Sequence, residues 1–216
     1  MIYMKNIMKH IWFTSDTHFG SKRTLEFSKR PFETVTEMDD TIIANWNECV
    51  APNDTVYHLG DFGDYDRIND LNGHIVLILG NYEVNDIDNG IITLERLRQM
   101  GFILNATPTE HFIYPNKSVN NTFVSENSIW MTHKPEDCRK DKFNLFGHIH
   151  GLQKVKRYGL NVGVDCHYFK PINLEEVLWW KDAIENHYDN NPIEALEDAT
   201  KIIAELTDRF KKGGIE

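Results

Sequence analysis

Val56-Tyr57-His58-Leu59-Gly60-Asp61-Phe62-Gly63-Asp64 reads as a buried strand that runs into a glycine turn and stops on a carboxylate. Glycine lets the backbone turn where a side chain would clash. Asp61 then falls at the carboxyl end of a strand, where open α/β sheets place their ligands. Gly-Asp is also an ordinary turn dipeptide, so the weight of the reading comes from repetition elsewhere in the chain.

The repetition is clear. Ile11-Trp12-Phe13-Thr14 is a compact apolar run that ends at Ser15-Asp16-Thr17-His18. Ile75 to Leu79 is an unbroken apolar strand that runs into Gly80-Asn81-Tyr82-Glu83. Ser128 to Met131 ends at Thr132-His133, and Phe143 to Phe146 ends at Gly147-His148-Ile149-His150. Leu160 to Val164 is a further strand, before Asp165. Met38, Ile42, Ile43 and Trp46 recur at helical spacing within Thr36 to Val50, with Thr34 or Thr36 as cap. Asp66 to Leu71 reads as a short helix, and Thr93 to Met100 as a helix closed by Gly101. Ser21 to Phe32 reads as a basic, irregular loop, and His111–Tyr114 with Thr122–Val124 as paired strands. Strands alternate first with helices and then with other strands. That order predicts an α/β fold with mixed sheets, packed as a sandwich.

Asp16-x-His18, Asp61, Asn81, His133 and His148-x-His150 thus lie at the ends of five strands and can converge on one edge of a sheet. Asp and His together suit borderline divalent metals, whereas an all-oxygen set suits Mg²⁺ or Ca²⁺. A carboxylate can bridge two ions, and Asp61 is the candidate bridge. In D-x-H and H-x-H the side chains share a face of extended chain. Singly, each piece is more often a turn or a surface histidine; jointly, at five strand ends, that bland reading fails.

The formal net charge is −10 over 216 residues, with 26% charged and 41% hydrophobic residues. Such a balance disfavours sequence-independent nucleic-acid binding, which needs Lys and Arg on phosphates; a short oligonucleotide remains acceptable only as a substrate. Cys49, Cys138 and Cys166 are isolated, which argues against a disulfide framework and for a reducing, cytoplasmic compartment. Met1 to His10 is polar and short, without the apolar run of a signal peptide, and the longest apolar run is far too short for a membrane span. The expected division is a catalytic domain over 1–188 and a helical extension over 189–216. Within the latter, Leu196, Ala199, Ile203, Leu206 and Phe210 form one stripe of a helix over Ile193 to Lys212. Packing on the parent domain is the simpler use of that stripe, and a homodimer the alternative.

The ordered motifs Asp-x-His, Gly-Asp, Gly-Asn, a lone His and Gly-His-x-His resemble the signature of the calcineurin-like metallophosphoesterases, from about Ile11 to Leu178. Arg30-Pro31-Phe32 and Asn161-Val162-Gly163-Val164-Asp165 are similar to a bacterial and phage branch of that family. The resemblance implies a four-layer α/β-β/α sandwich, here with an added C-terminal helix. It implies a phosphoric ester hydrolase that cleaves a phosphomonoester or phosphodiester by a metal-bound hydroxide. It places Asp16, His18 and His150 on one ion, Asn81, His133 and His148 on a second, and Asp61 between them. Mn²⁺ is the implied ion, with Fe, Zn or Ni as alternatives.

One departure matters. The family has His after Gly-Asn; here it is Tyr82. Tyr82 donates a hydrogen bond but is a poorer proton donor at neutral pH than His. Three accounts follow: esters with good leaving groups, a proton from another residue such as His58, or weak activity with intact metal binding. Arg23 and Arg30, in the loop after the first motif, are candidates for a phosphate oxygen. Glu83 is expected to orient its neighbours, and Asp165 to hold the histidine loop. A non-enzymatic, metal-binding interaction protein on the same fold is the rival reading.

Overall fold

The computed structural model describes residues 10–104, 109–114 and 127–187. Its frame is an α/β sandwich of two mixed sheets. In the first, β1 (Ile11–Thr14), β2 (Thr55–His58), β3 (His74–Leu77) and β4 (Ile103–Leu104) run parallel, and β10 (Ile172–Asn173) is antiparallel beside β1. In the second, β5 (Thr109–Tyr114) lies antiparallel to β6 (Asn127–Thr132), which continues in parallel through β7 (Phe143–Phe146) to β9 (Gly159–Asn161); β8 (Val155–Lys156) closes the edge.

Period-two alternation divides the side chains of the first sheet between two cores. Phe13 and Tyr57 face the second sheet, where Ile129, Met131, Leu145 and Leu160 meet them. Val56, Ile75 and Leu77 face the helices, against Met38, Ile42, Trp46 and Leu97. Those helices are α1 (Lys22–Phe27), α2 (Val35–Cys49) and α4 (Leu94–Met100). Thr34 caps α2 by accepting from Glu37 N, and Thr93 caps α4, which ends at Gly101 in the left-handed region, as the sequence led us to expect. The helix α5 (Leu174–His187) continues from β10, sends Val177 and Ile184 into the inter-sheet core, and packs on β9, β10 and β1.

Three helices were not legible, α5 among them. Ser21 to Phe32 is not irregular: Ser21 accepts from Thr24 N and starts α1, while Thr24 and Leu25 are buried. The helix α3 (Asn81–Asp88) follows Gly80, which has no capping side chain; Glu83 reaches back to Gly80 N instead. Asp66–Leu71 is realised as a 3-10 turn over Tyr65–Asp70. The expected partner strand Thr122–Val124, the segment Met1–Lys9, and the helix Ile193–Lys212 with its extension 189–216 lie outside the described residues; β5 pairs with β6. Among the described residues no helix is long and apolar enough to cross a membrane. All three cysteines are free.

Candidate metal centre

The parallel pairing of β1 and β2 continues past the strands. Asp16 N donates to Gly60 O at 3.0 Å, His18 N to Asp61 O at 3.0 Å, and Phe19 N to Phe62 O at 2.9 Å. The D-x-H loop and the Gly-Asp loop are therefore one zipped unit. The second sheet joins it through Val164 N to Ser15 O at 3.0 Å and through Asp16, whose carboxylate oxygens accept from His148 N at 3.0 and 2.9 Å. This convergence requires glycine. A Cβ on Gly60 would stand 2.5 Å from Gly80 Cα, and one on Gly147 would stand 2.1 Å from Ser15 Oγ and 2.3 Å from Asp16 Oδ2.

All seven residues expected as ligands come together, in two groups. Asp16, His18 and His150 present ligand atoms within 4.8 Å of one another, and so do Asp61, His133 and His148. The H-x-H pair is thus split between the groups, while the D-x-H pair stays in one. Asn81 Oδ1 joins the second group at 2.9 Å from both His133 Nε2 and His148 Nδ1. Asp61 Oδ2 stands between the groups, 3.5 Å from His18 Nε2 and 3.4 Å from His133 Nε2. Its other oxygen is held by Tyr82 N at 2.9 Å.

Four observations fit these residues to cations. First, His18 is buried and neither ring nitrogen has a hydrogen-bond partner. A buried, unmatched polar atom costs about 1–3 kcal/mol unless something else meets it. Burial also pushes its pKa down to about 3, which leaves the neutral imidazole that a metal needs. Second, His133 Nδ1 donates to Leu59 O at 2.8 Å, so its Nε2 lone pair would face the Asn81 oxygen and the His148 nitrogen at 2.9 and 3.2 Å. Acceptors crowd in this way around a shared positive charge: ligands about 2.1 Å from an octahedral ion lie about 3.0 Å apart. Burial alone would lower the His133 pKa, but without an ion the hydrogen bond to the Asp61 carboxylate outweighs it and pushes the value up to about 9, so a cation binding at Nε2 would displace that proton. Third, the Asp16 and Asp61 carboxylates are buried without Lys or Arg in an ion pair among the described residues. Burial raises the Asp16 pKa, whereas at Asp61 the neighbouring histidines and Tyr82 N–H overcome burial and lower it. Fourth, Asp16, His18, Asp61, His148 and His150 all have left-handed backbone, with φ from 48° to 70°. That region costs a non-glycine residue roughly 1–2 kcal/mol, and such strain gathers at functional sites.

The supports are specific. Glu83 is buried and accepts from Gly80 N at 2.7 Å, Asp61 N at 2.8 Å and Phe62 N at 2.7 Å. It fixes the backbone of the Asp61 loop, in keeping with the orienting role expected of it. Asp165 stands 3.4 Å from His150 Nδ1, and Ser28 Oγ 3.0 Å from the same nitrogen, so the opposite nitrogen, Nε2, is left for a cation. Arg30 is a correction. Rather than meeting substrate, its buried guanidinium donates to Thr17 O, Asp16 O and both Asp165 oxygens at 2.6–2.9 Å. It ties the D-x-H loop to the histidine loop. Burial raises the Asp165 pKa, but His150 and Arg30 outweigh it and bring it to about 2. His58 is also removed as a proton donor. It is fully buried, accepts from Gly60 N, and meets Thr17 Oγ1 at 3.0 Å.

A cleft of about 240 Å³ opens over this centre. The candidate ligands Asp61, Asn81, His148 and His150 line it on one side; Arg23, Thr24, Phe27 and Tyr82 complete it. Arg23, expected to meet a phosphate oxygen, is among the residues that line this cleft. Thr24 and Phe27 were missed, because only the α1 turn brings them to the cleft. We expect Asp165→Asn to weaken one ion's binding by about 10–100-fold and leave the other nearly unchanged. Calorimetric titration with Mn²⁺ checks this, since two equal losses would contradict the assignment of Asp165 to the group that contains His150.

No family model matches the chain. It is 39% identical over 84 residues to an uncharacterized protein of Methanocaldococcus jannaschii, MJ1445; the match covers 35% of this chain and 48% of that protein. It is 36% identical over 85 residues to the gene 66 protein of Mycobacterium phage L5, covering 35% and 41%. The matches thus span less than half the length of either curated relative. A protein of unknown function from Aquifex aeolicus, AQ665, shares the fold at a TM-score of 0.55 and 19% identity, over 79% of this chain and 98% of that one.

Proposed function

We propose that the protein is a dinuclear metal-dependent phosphoesterase of the calcineurin-like type, hydrolysing a phosphodiester or phosphomonoester. The observation that carries this is the position of Asp61 Oδ2, within 3.5 Å of His18 Nε2 on one side and His133 Nε2 on the other. One carboxylate oxygen between two Asp/His groups is the arrangement that holds two cations close together. Bound there, two divalent ions would supply the charge that draws a phosphoryl group and activates water for in-line attack. Mn²⁺ suits the mixed oxygen and nitrogen donors, as do Fe, Zn and Ni.

The chain's own residues then have separate tasks. Asp16, His18 and His150 hold one ion; Asn81, His133 and His148 hold the other. Arg23 extends the positive field to the cleft wall, where an anionic ester enters. Tyr82 faces the same cleft. The test is hydrolysis of bis(para-nitrophenyl) phosphate by the metal-stripped protein before and after Mn²⁺ is restored. We expect no turnover without metal and saturable turnover with it. Equal inertness in both states, across aryl mono- and diesters, would leave only the metal-binding interaction protein.

A further inference from the structure

We infer that Arg23, Phe27 and Tyr82 form a leaving-group subsite, and that the substrate is an ester whose leaving group carries an aromatic ring and departs with Tyr82's proton. The inference rests on the phosphoesterase reading and adds the substrate class and the proton donor.

Arg23 and Phe27 are four residues apart on α1 and so share a face, and that face borders the cleft. Phe27 is 78% exposed although its neighbours Thr24 and Leu25 are buried. A lone exposed apolar residue needs no explanation, but this one stands at the mouth of the cleft over the candidate metal centre. An aromatic face there takes another ring by stacking, whatever its substituents. Arg23 is the one Lys or Arg among the described residues that line the cleft.

The hydrogen bond between Arg23 and Tyr82 supplies the rest. Arg23 Nη1 donates to Tyr82 Oη at 2.9 Å. Guanidinium has no acceptor, so the phenol oxygen accepts and its own proton is left over. Among the described residues nothing takes that proton. Two further contacts hold the residue: its backbone N donates to Asp61 Oδ1, and its ring meets the His18 ring edge-on, with centroids 4.7 Å apart. Tyr82 is thus held at the Asp61 carboxylate by its backbone, while its hydroxyl proton has no acceptor among the described residues.

The chemistry balances. The oxygen of water bonds to phosphorus as the bond from phosphorus to the leaving oxygen breaks. The leaving oxygen takes the Tyr82 proton, and the proton lost by the attacking water reaches Tyr82 through solvent. Water is the only co-reactant.

The experiment compares wild type, Tyr82→Phe and Phe27→Ala, all loaded with Mn²⁺, on two diesters: methyl para-nitrophenyl phosphate and methyl phenyl phosphate. The first leaving group is a weak base that departs readily as the anion; the second is more basic and gains more from a proton in the transition state. Tyr82→Phe is expected to lose about 10²-fold in kcat on the phenyl ester and little on the nitrophenyl ester, with its Mn²⁺ content unchanged. Phe27→Ala is expected to raise the inhibition constant of phenylphosphonate roughly tenfold and leave that of methylphosphonate unchanged. An equal loss on both esters, no loss on either, or loss of Mn²⁺ from Tyr82→Phe overturns the proton assignment while the hydrolase reading stands. Equal shifts for the two phosphonates, or none, overturn the aromatic subsite. A wild type inert on both esters removes the hydrolase reading and the subsite together.

Discussion

Asp61→Asn is expected to lower turnover by on the order of 10³-fold and to weaken the binding of both metal ions. The reason is local. The substitution keeps the shape but removes the negative charge that stands 3.5 Å from one group's histidine and 3.4 Å from the other's. It also places an amide N–H₂ on one of two oxygens that now act only as acceptors. If the NH₂ takes the Oδ2 position, it points donors where cations belong; if it takes Oδ1, it opposes Tyr82 N–H, 2.9 Å away. Neither orientation restores the bridge. His18→Ala and Asn81→Ala, by contrast, each remove a donor from one group and should weaken mainly one ion. Metal content and turnover of a para-nitrophenyl diester check both statements. An Asp61→Asn protein that loses a single ion would show that the carboxylate serves one site only.

Glu83→Ala is expected to destabilise the folded protein by roughly 3–5 kcal/mol, the largest stability effect we anticipate. Glu83 is wholly buried and accepts from three backbone N–H groups, those of Gly80, Asp61 and Phe62. Alanine leaves all three without a partner at a place where chain packing bars easy access to water, and each orphaned donor costs about 1–3 kcal/mol. For a chain of this size that corresponds to a melting temperature lowered by about 10 °C or more. The Asp61 loop loses its anchor at the same time, so metal affinity falls with stability. Glu83→Gln retains one acceptor oxygen but sets an N–H₂ against a backbone N–H, and should fall between the two. Thermal unfolding measured without metal isolates the stability effect; an unchanged melting temperature in Glu83→Ala would contradict the role given to these three hydrogen bonds.

The seven candidate ligands were legible because each stands where a run of apolar strand residues stops, a place where Asp, Asn and His are otherwise spaced at random. The sheets were legible for the same reason: Ile75–Leu79 and Phe143–Phe146 are too short and too apolar for an amphipathic surface helix. The short helices were not. α1 has six residues and α3 follows a glycine, so neither gives a full period of apolar spacing or a capping side chain at both ends. Arg30 was misread because sequence shows a basic loop, not the carbonyls of Asp16 and Thr17 that fold around it. His58 sits in a strand, and only the zipped loops reveal that both its ring nitrogens are engaged. Phe27 fell unremarked in the segment read as a basic loop; the fold leaves it at the cleft, while α1 buries Thr24 and Leu25.

The most direct test of the two-ion account is a titration of metal-free protein with Mn²⁺ while hydrolysis of bis(para-nitrophenyl) phosphate is followed. The account requires turnover that rises to a plateau at two ions per chain. A plateau at one ion per chain, or no turnover at any occupancy, would contradict it.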